Sequence, residues 1–371
     1  MRPAVTATID LAALRHNLAR VRAAAPGCRV ATALKANAYG HGLLRAAKAL
    51  DTADAFAVAR CDEALALRDA GITKPIVVLE GFLQPDEVEL CRQHELQAAV
   101  HHDSQLRMLE RAKPGRPLKL WLKIDSGMHR LGFPPEQVPT ALKRLMACPN
   151  AAPSLRLISH LARADDQQDP YTRQQLATFQ TVTHGITAER SLANSGGILG
   201  WPETHFDWVR PGIMLYGCTP FNHGSGAEVG LRPVMTLASR LIAVHQYAAD
   251  EPIGYGGSWR CPRNSRIGVV AIGYGDGYPR HAPSGTPVLI RGRRVPLAGR
   301  VSMDMITVDL TDLPEAEVGD SVILWGRDLP AEEIARHVNT ITYELFCKVT
   351  PRVAVVETEG DEAAGSGRQR E

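Results

Sequence analysis

Short apolar segments alternate with helical patterns along the N-terminal part of the chain. Asp10 can cap a helix whose apolar positions begin at Leu11 and recur at helical spacing as far as Pro26. Strand-like segments follow, separated by helical patterns such as 61–70, 85–94 and 103–112. Counted from residue 30, eight of them are found, at 30–34, 55–58, 76–79, 97–100, 118–124, 155–160, 191–193 and 208–210. This alternation predicts an α/β fold, a (β/α)₈ TIM-type barrel.

The pattern changes after about residue 230. Helical periodicity fades, and β-rich segments at 236–247, 267–272, 288–290, 305–310 and 321–325 are separated by Gly, Pro and Asp turns. We therefore predict a barrel domain at 1–228, a C-terminal mainly-β domain at 229–359 and a disordered tail at 360–371. Residues 1–9 contain a further strand that either domain could hold.

Composition excludes several classes of function. Lys plus Arg number 42 and Asp plus Glu 40 in 371 residues, so neither nucleic acid nor a membrane surface is an expected partner. The seven cysteines are scattered and form no CxxC pair, which predicts reduced thiols rather than disulfides or a metal site. No signal-peptide pattern or membrane-length apolar stretch is present. We therefore expect a cytoplasmic protein.

A lysine stands at the end of the first predicted barrel strand. Lys35 follows the apolar residues 30–34 and precedes a loop that contains Gly40 and Gly42. Burial lowers the pKa of a lysine, and the neutral amine can attack a carbonyl to form an imine. On this stretch alone, an ordinary surface lysine is the better explanation. In a barrel, however, functional groups gather at the C-terminal ends of the strands, where Arg130, His160 and Arg210 also fall.

Two glycine-containing segments resemble an anion site. Asn194-Ser195-Gly-Gly and Gly212-Ile213 follow the last two predicted barrel strands, where backbone N–H groups and a hydroxyl could bind phosphate. Either segment alone could equally be a tight turn. Their adjacency favours phosphate, a common ligand at this place in the barrel.

An imine-forming lysine opposite a phosphate site suits pyridoxal 5′-phosphate. Arg210 is then the candidate partner of the ring nitrogen, and because guanidinium keeps its proton, the pyridine would stay unprotonated. His160 could stack on the ring, although a satisfied core histidine is the better explanation for it in isolation.

Glycine-flanked tyrosines recur in the second domain. Tyr255 and Tyr274 both lie in such segments, and residues 299–304 make a third turn that contains Met303 and Asp304. Taken singly, these are ordinary β-turn residues. A phenol near a cationic pocket can nevertheless serve as a base.

Together these motifs resemble the alanine racemase family along nearly the whole chain. The most specific is Ala-Leu-Lys-Ala-Asn-Ala-Tyr-Gly-His-Gly around Lys35. The others are Lys-Ile-Asp-Ser-Gly-Met-His-Arg-Leu-Gly at 123–132, Ser-His-Leu-Ala-Arg-Ala-Asp at 159–165, Asn-Ser at 194, Val-Arg-Pro-Gly-Ile-Met-Leu-Tyr-Gly at 209, Tyr-Gly-Gly-Ser-Trp at 255, Gly-Arg-Val-Ser-Met-Asp at 299 and Tyr-Glu at 343.

The resemblance implies a pyridoxal-phosphate enzyme of fold type III, a homodimer whose active sites are completed across the subunit interface. Lys35 would hold the cofactor and act as the base on the D-substrate face, and Tyr255 of the partner subunit would be the base on the L face. Arg130 and the Met303 N–H would hold the substrate carboxylate. The other cofactor-binding positions it implies are Tyr39, His160, Asn194, Ser195, Arg210, Gly212, Ile213 and Tyr343, with Lys123, Tyr274 and Asp304 in support.

Two positions need comment within that resemblance. Family members often carry a carbamylated lysine where this chain has Lys123, and sequence does not report the modification. His129 stands where many relatives have glycine, which bears on the packing near Arg130.

Competing functions are a broad-specificity racemase, another fold-type III enzyme such as a decarboxylase or an aldolase for D-hydroxy amino acids, and a non-catalytic cofactor carrier. A decarboxylase must expel the carboxylate that Arg130 and Met303 are expected to retain. A carrier has no use for Tyr255. The sequence leaves open whether the role is biosynthetic or catabolic, and how strictly alanine is preferred over serine.

Overall fold

The computed structural model describes residues 3–360. Apart from Gly360, the tail predicted to be disordered lies outside the described residues. Among residues 3–360, no helix is both long and apolar enough to cross a membrane.

The chain contains strands and helices in the following order. The strands are β1 (Thr6–Asp10), β2 (Arg29–Ala33), β3 (Ala55–Val58), β4 (Ile76–Val78), β5 (Gln97–Val100), β6 (Leu120–Lys123), β7 (Arg156–Ile158), β8 (Glu189–Ser191), β9 (Trp208–Val209), β10 (Met235–Tyr247), β11 (Pro252–Ile253), β12 (Trp259–Arg260), β13 (Ser265–Val270), β14 (Pro287–Ile290), β15 (Arg293–Pro296), β16 (Ile306–Asp309), β17 (Ser321–Trp325) and β18 (Ala354–Thr358). The helices are α1 (Leu11–Ala24), α2 (Lys35–Tyr39), α3 (Leu43–Ala49), α4 (Cys61–Asp69), α5 (Asp86–Gln93), α6 (Asp103–Arg111), α7 (Val138–Ala147), α8 (Tyr171–Thr183), α9 (Ser195–Gly200), α10 (Ala331–His337) and α11 (Thr342–Cys347).

Strands β2 to β9 close into a parallel barrel in which each strand pairs with the next and β9 pairs back with β2. The predicted α/β fold, a (β/α)₈ barrel with a separate mainly-β region, is therefore confirmed. Asp10 caps α1 as expected, since its Oδ1 accepts a hydrogen bond from the Ala13 N–H at 2.9 Å. The strand predicted at 191–193 instead spans Glu189–Ser191. Its first two residues are charged, so the apolar pattern did not include them.

Paired charges and two tryptophans close the N-terminal end of the barrel. Glu189 accepts hydrogen bonds from Trp208 Nε1 at 2.9 Å and Arg156 Nε at 2.7 Å, and it pairs with Arg29. The Trp121 and Trp208 rings meet edge to face at 5.6 Å. Burial opposes ionisation of Glu189, but the donors outweigh it and lower its pKa from 4.5 to about 2. The charges at this end thus stabilise one another.

The second compact unit is built on the long strand β10. Residues 3–16, 216–219 and 224–360 form this unit, whereas residues 17–215 and 220–223 form the barrel unit. Strand β1 pairs antiparallel with β10 and parallel with β18, in the sheet order β15-β14-β17-β10-β1-β18. The domain boundaries at 228 and 359 stay a prediction.

Two short helices interrupt the β structure of this unit, and sequence reasoning missed both. Helices α10 and α11 have seven and six residues, too few for a clear 3.6-residue period. The buried Glu332 on α10 accepts hydrogen bonds from the Thr219 and Gly226 N–H groups at 2.9 and 2.8 Å. One carboxylate thus joins Thr219 and Gly226, which precede the predicted boundary at 228, to the helix.

Replacing Glu189 by Gln should destabilise the barrel, because Arg29 and Arg156 lose their common counter-charge. We expect a loss of about 1–3 kcal/mol at neutral pH, below the figure for a fully buried pair because the carboxylate is partly exposed. A carboxyl group with a lowered pKa stabilises the fold above its unfolded pKa, and that contribution is lost as pH falls through the folded value. Stability lost between about pH 4.5 and about pH 2 should therefore be smaller in Glu189→Gln than in the wild type.

Urea unfolding at several pH values measures both effects. Glu203→Gln is the matched control. Glu203 is exposed, and its ion pair with Arg173 is long at 3.9 Å. Equal stabilities for Glu189→Gln and Glu203→Gln at neutral pH would contradict the role assigned to Glu189.

Candidate active site

Lys35 opens a turn of unusual backbone conformation. It follows β2 at the C-terminal end of the barrel, and the next four residues, Ala36 to Tyr39, all have φ between 53° and 54°. Left-handed conformation costs a non-glycine residue roughly 1–2 kcal/mol. The turn therefore depends on hydrogen bonds that hold it in place.

Three side chains hold this turn. The Ala36 N–H donates to Glu63 Oε1 at 2.6 Å, and the Leu43 N–H donates to Asn37 Oδ1 at 2.8 Å. The buried His41 contacts the Ala38 and Tyr39 carbonyl oxygens through Nδ1, at 3.2 and 2.9 Å. Burial lowers the pKa of His41 to about 4, so the ring is neutral and Nδ1 carries the donated hydrogen.

Glu63 was missed by sequence reasoning. Its second oxygen accepts hydrogen bonds from the Ala59 and Arg60 N–H groups at 2.7 and 3.3 Å, so the carboxylate joins the start of α4 to the residue after Lys35. The available signal was its place as the third residue of a helix, where an acid often caps the preceding backbone. Nothing local pointed to Ala36.

Several cations lie near one another at this end of the barrel. Burial and then the charges of Arg210, Arg130 and Lys35 lower the pKa of Lys123 to about 8, against the opposing effect of Asp125. An amine with that pKa is partly neutral near neutral pH, and the neutral form is the one that reacts with carbon dioxide to give a carbamate. Because three further cations act on Lys123, this end of the barrel suits anionic ligands.

Arg210 is buried and held by groups on neighbouring strands. Its Nη1 donates to Ser191 Oγ at 2.6 Å, and its Nη2 donates to the Ser159 carbonyl and to His160 Nδ1 at 3.3 Å. Burial lowers the pKa of Arg210 to about 10, which leaves it charged at neutral pH. Burial and then Arg210 hold the pKa of His160 well below its usual value. Neutral His160 thus accepts from Arg210 at Nδ1 and carries its hydrogen on Nε2.

The two predicted anion segments meet. Ser195 Oγ accepts a hydrogen bond from the Gly212 N–H at 2.9 Å, and Asn194 Oδ1 caps α9 by accepting from the Gly197 N–H at 3.0 Å. A Cβ added to Gly212 would lie 2.6 Å from the Tyr39 hydroxyl, so a larger residue there would displace this hydroxyl. The next residue, Ile213, is buried at the start of a 3₁₀ helix. Tyr39, Ser195 and Gly212 consequently form a small cradle of hydroxyl and N–H groups.

His129 adopts the left-handed region, with φ of 54°, which favours glycine. Its backbone N–H donates to Asp125 Oδ1 at 3.0 Å, as does that of Gly127. Asp125 therefore shapes the turn that leads to Arg130.

The remaining predicted site residues lie in the second unit. The side chains of Tyr255 and Met303 are 68% and 53% exposed, and Tyr274 is also exposed. The Tyr274 N–H donates to the Ser302 carbonyl at 3.0 Å, so two of the predicted turns are adjacent. Asp304 pairs with Arg352 at 2.7 Å, and Tyr343 lies half-buried on α11. The roles of these residues stay predictions.

Comparison with known proteins bears on this arrangement. The family domain described as "Alanine racemase, N-terminal domain" matches residues 9–220, and "Alanine racemase, C-terminal domain" matches residues 234–357. The chain belongs to the alanine racemase family. The predicted family resemblance is thereby confirmed, and with it the class of enzyme, an amino-acid racemase dependent on pyridoxal phosphate.

Relatives match over nearly their full length. The alanine racemase of Shewanella baltica strain OS155 is 53% identical over 96% of this chain and 99% of its own. The biosynthetic alanine racemase of Pseudomonas aeruginosa has a crystal structure with a TM-score of 0.94 and 48% identity, covering 96% of this chain and 100% of that one. An alanine racemase structure from Bartonella henselae, described with covalently bound pyridoxal phosphate, has a TM-score of 0.87 and 30% identity over 96% and 100% of the two chains.

Removing the Glu63 carboxylate should impair alanine racemisation more than it impairs folding. Glu63→Ala leaves the Ala36 N–H without its acceptor and releases the turn after Lys35, so we expect kcat to fall about 10- to 100-fold. The accompanying loss of stability should be about 1–3 kcal/mol. Initial rates and urea unfolding of the same preparation measure the two effects.

Glu87 offers the matched control. It caps α5 as Glu63 caps α4, accepting hydrogen bonds from the Leu83 and Gln84 N–H groups. Glu87→Ala should lose similar stability and keep its kcat. If both variants slow turnover equally, the hydrogen bond from the Ala36 N–H to Glu63 does not have the proposed effect on Lys35.

Proposed function

We propose that this chain is a pyridoxal-phosphate-dependent alanine racemase that interconverts L-alanine and D-alanine by a two-base mechanism. The observation that carries the proposal is the grouping of four cations at the C-terminal end of the barrel, where the charges of Lys35, Arg130 and Arg210 lower the pKa of Lys123. Membership of the alanine racemase family supports the choice of substrate.

The barrel residues fit the cofactor. The glycine at 212 lets the Tyr39 hydroxyl lie close to the backbone beside Ser195, where the phosphate would bind. Ser195 Oγ accepts from backbone N–H groups and keeps its own hydrogen to donate to a phosphate oxygen. The residues that would bind the cofactor are Lys35, Tyr39, His160, Asn194, Ser195, Arg210, Gly212, Ile213 and Tyr343. Bound pyridoxal phosphate supplies an electron-withdrawing ring that acidifies the Cα–H bond of an attached amino acid.

Arg210 would donate to the ring nitrogen. Because Ser191 and the Ser159 carbonyl fix its guanidinium, and its pKa of about 10 keeps it charged, it holds its proton at neutral pH. A ring nitrogen that only accepts a hydrogen bond from arginine withdraws less electron density than a ring nitrogen that is protonated beside a carboxylate. Side reactions that depend on strong withdrawal are thereby disfavoured.

The substrate would be held and deprotonated by four of the predicted residues. Arg130 and the Met303 N–H would bind the carboxylate and so retain it, which argues against a decarboxylase. Lys35 would move a proton at Cα on the D face, and Tyr255 of the partner subunit would do so on the L face. Lys123, Tyr274 and Asp304 would support these groups.

We also propose a homodimer with shared active sites. Support comes from the exposed side chains of Tyr255, Tyr274, Met303 and Met305 in the second unit. An exposed apolar patch on a globular protein commonly marks an interface. In the proposed dimer, these side chains would contact the partner's barrel and complete its active site.

Two further attributes belong to the proposal. The chain's 48% identity to a biosynthetic enzyme favours D-alanine supply over catabolism, and restored growth of a D-alanine auxotroph would test this. All seven cysteines are free thiols, which agrees with a cytoplasmic location. Fractionation of the producing cells would check the location.

Tyr255→Phe should lower racemisation by about 10²- to 10⁴-fold, because one of two bases is removed. The absorbance of the bound cofactor should persist, since Lys35 is untouched. In deuterium oxide, D-alanine should still exchange its α-proton through Lys35, whereas L-alanine should not. Proton NMR of each enantiomer measures the exchange, and Tyr247→Phe, which alters another exposed phenol, should behave as wild type. Full activity of Tyr255→Phe would remove Tyr255 from the mechanism.

Mixing two inactive variants tests the shared site. In a dimer of one Lys35→Ala chain and one Tyr255→Phe chain, one site carries both substitutions and the other carries neither. Random reassociation should therefore restore roughly one quarter of wild-type activity. If Lys35 and Tyr255 acted within a single chain, the mixture would stay as inactive as its components.

A further inference from the structure

Two cysteines on neighbouring outer helices of the barrel unit lie side by side. Cys61 is the first residue of α4 and Cys91 lies in α5, and their Sγ atoms are 3.9 Å apart. Both are free thiols with buried side chains. A disulfide needs an S–S separation of about 2.05 Å, so a shift of roughly 2 Å between the sulfurs would join them.

The two thiols differ in access. Cys61 lines a surface cavity of about 300 Å³ together with Arg60, Gly81 and Leu83. Cys91 is fully buried behind it. A small oxidant can therefore reach Cys61 first. Cys91 can then react only with the oxidised Cys61 sulfur.

The two thiols also differ in acidity. The hydrogen bond from Cys91 lowers the pKa of Cys61 against the effect of burial, because the Cys61 thiolate is the acceptor. The same bond and burial raise the pKa of Cys91. The nearby carboxylates of Glu87 and Asp62 raise the pKa of Cys61 but do not reverse this net lowering.

We propose that Cys61 and Cys91 are a peroxide-sensitive thiol pair that closes to a disulfide, with Cys61 as the reacting thiol and Cys91 as the resolving one. The Cys61 thiolate attacks hydrogen peroxide: an S–O bond forms, the O–O bond breaks, and the sulfur loses two electrons to the oxygen that leaves as hydroxide. The Cys91 sulfur then attacks the Cys61 sulfenic acid. An S–S bond forms, the S–O bond breaks, and the departing hydroxide takes the Cys91 proton as water.

The disulfide would act on the Lys35 turn through two residues of α4. Cys61 is two positions before Glu63, whose carboxylate accepts the Ala36 N–H at 2.6 Å. Drawing Cys61 toward α5 moves the helix start that carries this carboxylate. Oxidation therefore loosens the turn after Lys35, and on the proposed racemase function it slows turnover reversibly.

Peptide mass mapping of the oxidised holoenzyme tests the covalent step. After hydrogen peroxide treatment, the free-thiol count should fall from seven to five, and the lost pair should map to a peptide linking Cys61 with Cys91. Cys91→Ala should instead accumulate a sulfenic acid at Cys61 that dimedone traps, and Cys61→Ala should yield neither product. Cys347→Ser, which removes an exposed thiol elsewhere, should still form the linked peptide. Absence of that peptide in folded wild-type protein overturns the proposal, whether or not the protein racemises alanine.

Hydrogen exchange tests the coupling. The segment 36–43 should exchange faster in the disulfide form than in the reduced form, and a dithiol should restore the slower rate. An unchanged exchange rate in fully oxidised protein would overturn the link to Lys35. Since neither this readout nor the mass mapping uses alanine turnover, failure of the racemase assignment would be seen separately.

Discussion

Positive charge collects at the C-terminal end of the barrel, on Lys35, Lys123, Arg130 and Arg210. Burial, together with the charges of Arg210, Arg130 and Lys35, lowers the pKa of Lys123 to about 8. The opposite end of the barrel shows the contrary arrangement, because Glu189 there pairs with Arg29 and Arg156. One fold thus pairs opposite charges at one end of the barrel and brings like charges together at the other, where an anionic cofactor and substrate are expected.

Holding an amine in such surroundings requires a backbone that cannot relax away. The left-handed run from Ala36 to Tyr39 is costly in isolation, and it persists because Glu63 and His41 bond to its amide and carbonyl groups. The same run places the Tyr39 hydroxyl against Gly212. The strained turn after Lys35 and the glycine of the proposed phosphate site therefore pack against each other through Tyr39, and changing either would disturb both.

The second unit contributes exposed rather than buried chemistry. Tyr255 and Met303 project from turns held by backbone hydrogen bonds, and large exposed side chains of this kind suit a surface that another subunit covers. Family membership and the length of the match to known racemases favour a surface covered by another subunit over an isolated binding module as the explanation for these exposed side chains. The thiol pair at Cys61 and Cys91 adds a point at which oxidation could reach Lys35 through Glu63.

The sequence by itself determined the barrel, the β-rich second region, the lysine at a strand end and the family, because these depend on local periodicity and on contiguous motifs. It did not reveal α10 and α11, which are too short to show a period. It also missed the true start of β8, because the first two residues of this strand are charged and break the apolar pattern. Nor could it reveal that Glu63 bonds to Ala36, or that Ser159 and Ser191 orient Arg210. Those contacts join residues 19 to 51 positions apart, and only the closed barrel decides which strand and helix ends become neighbours.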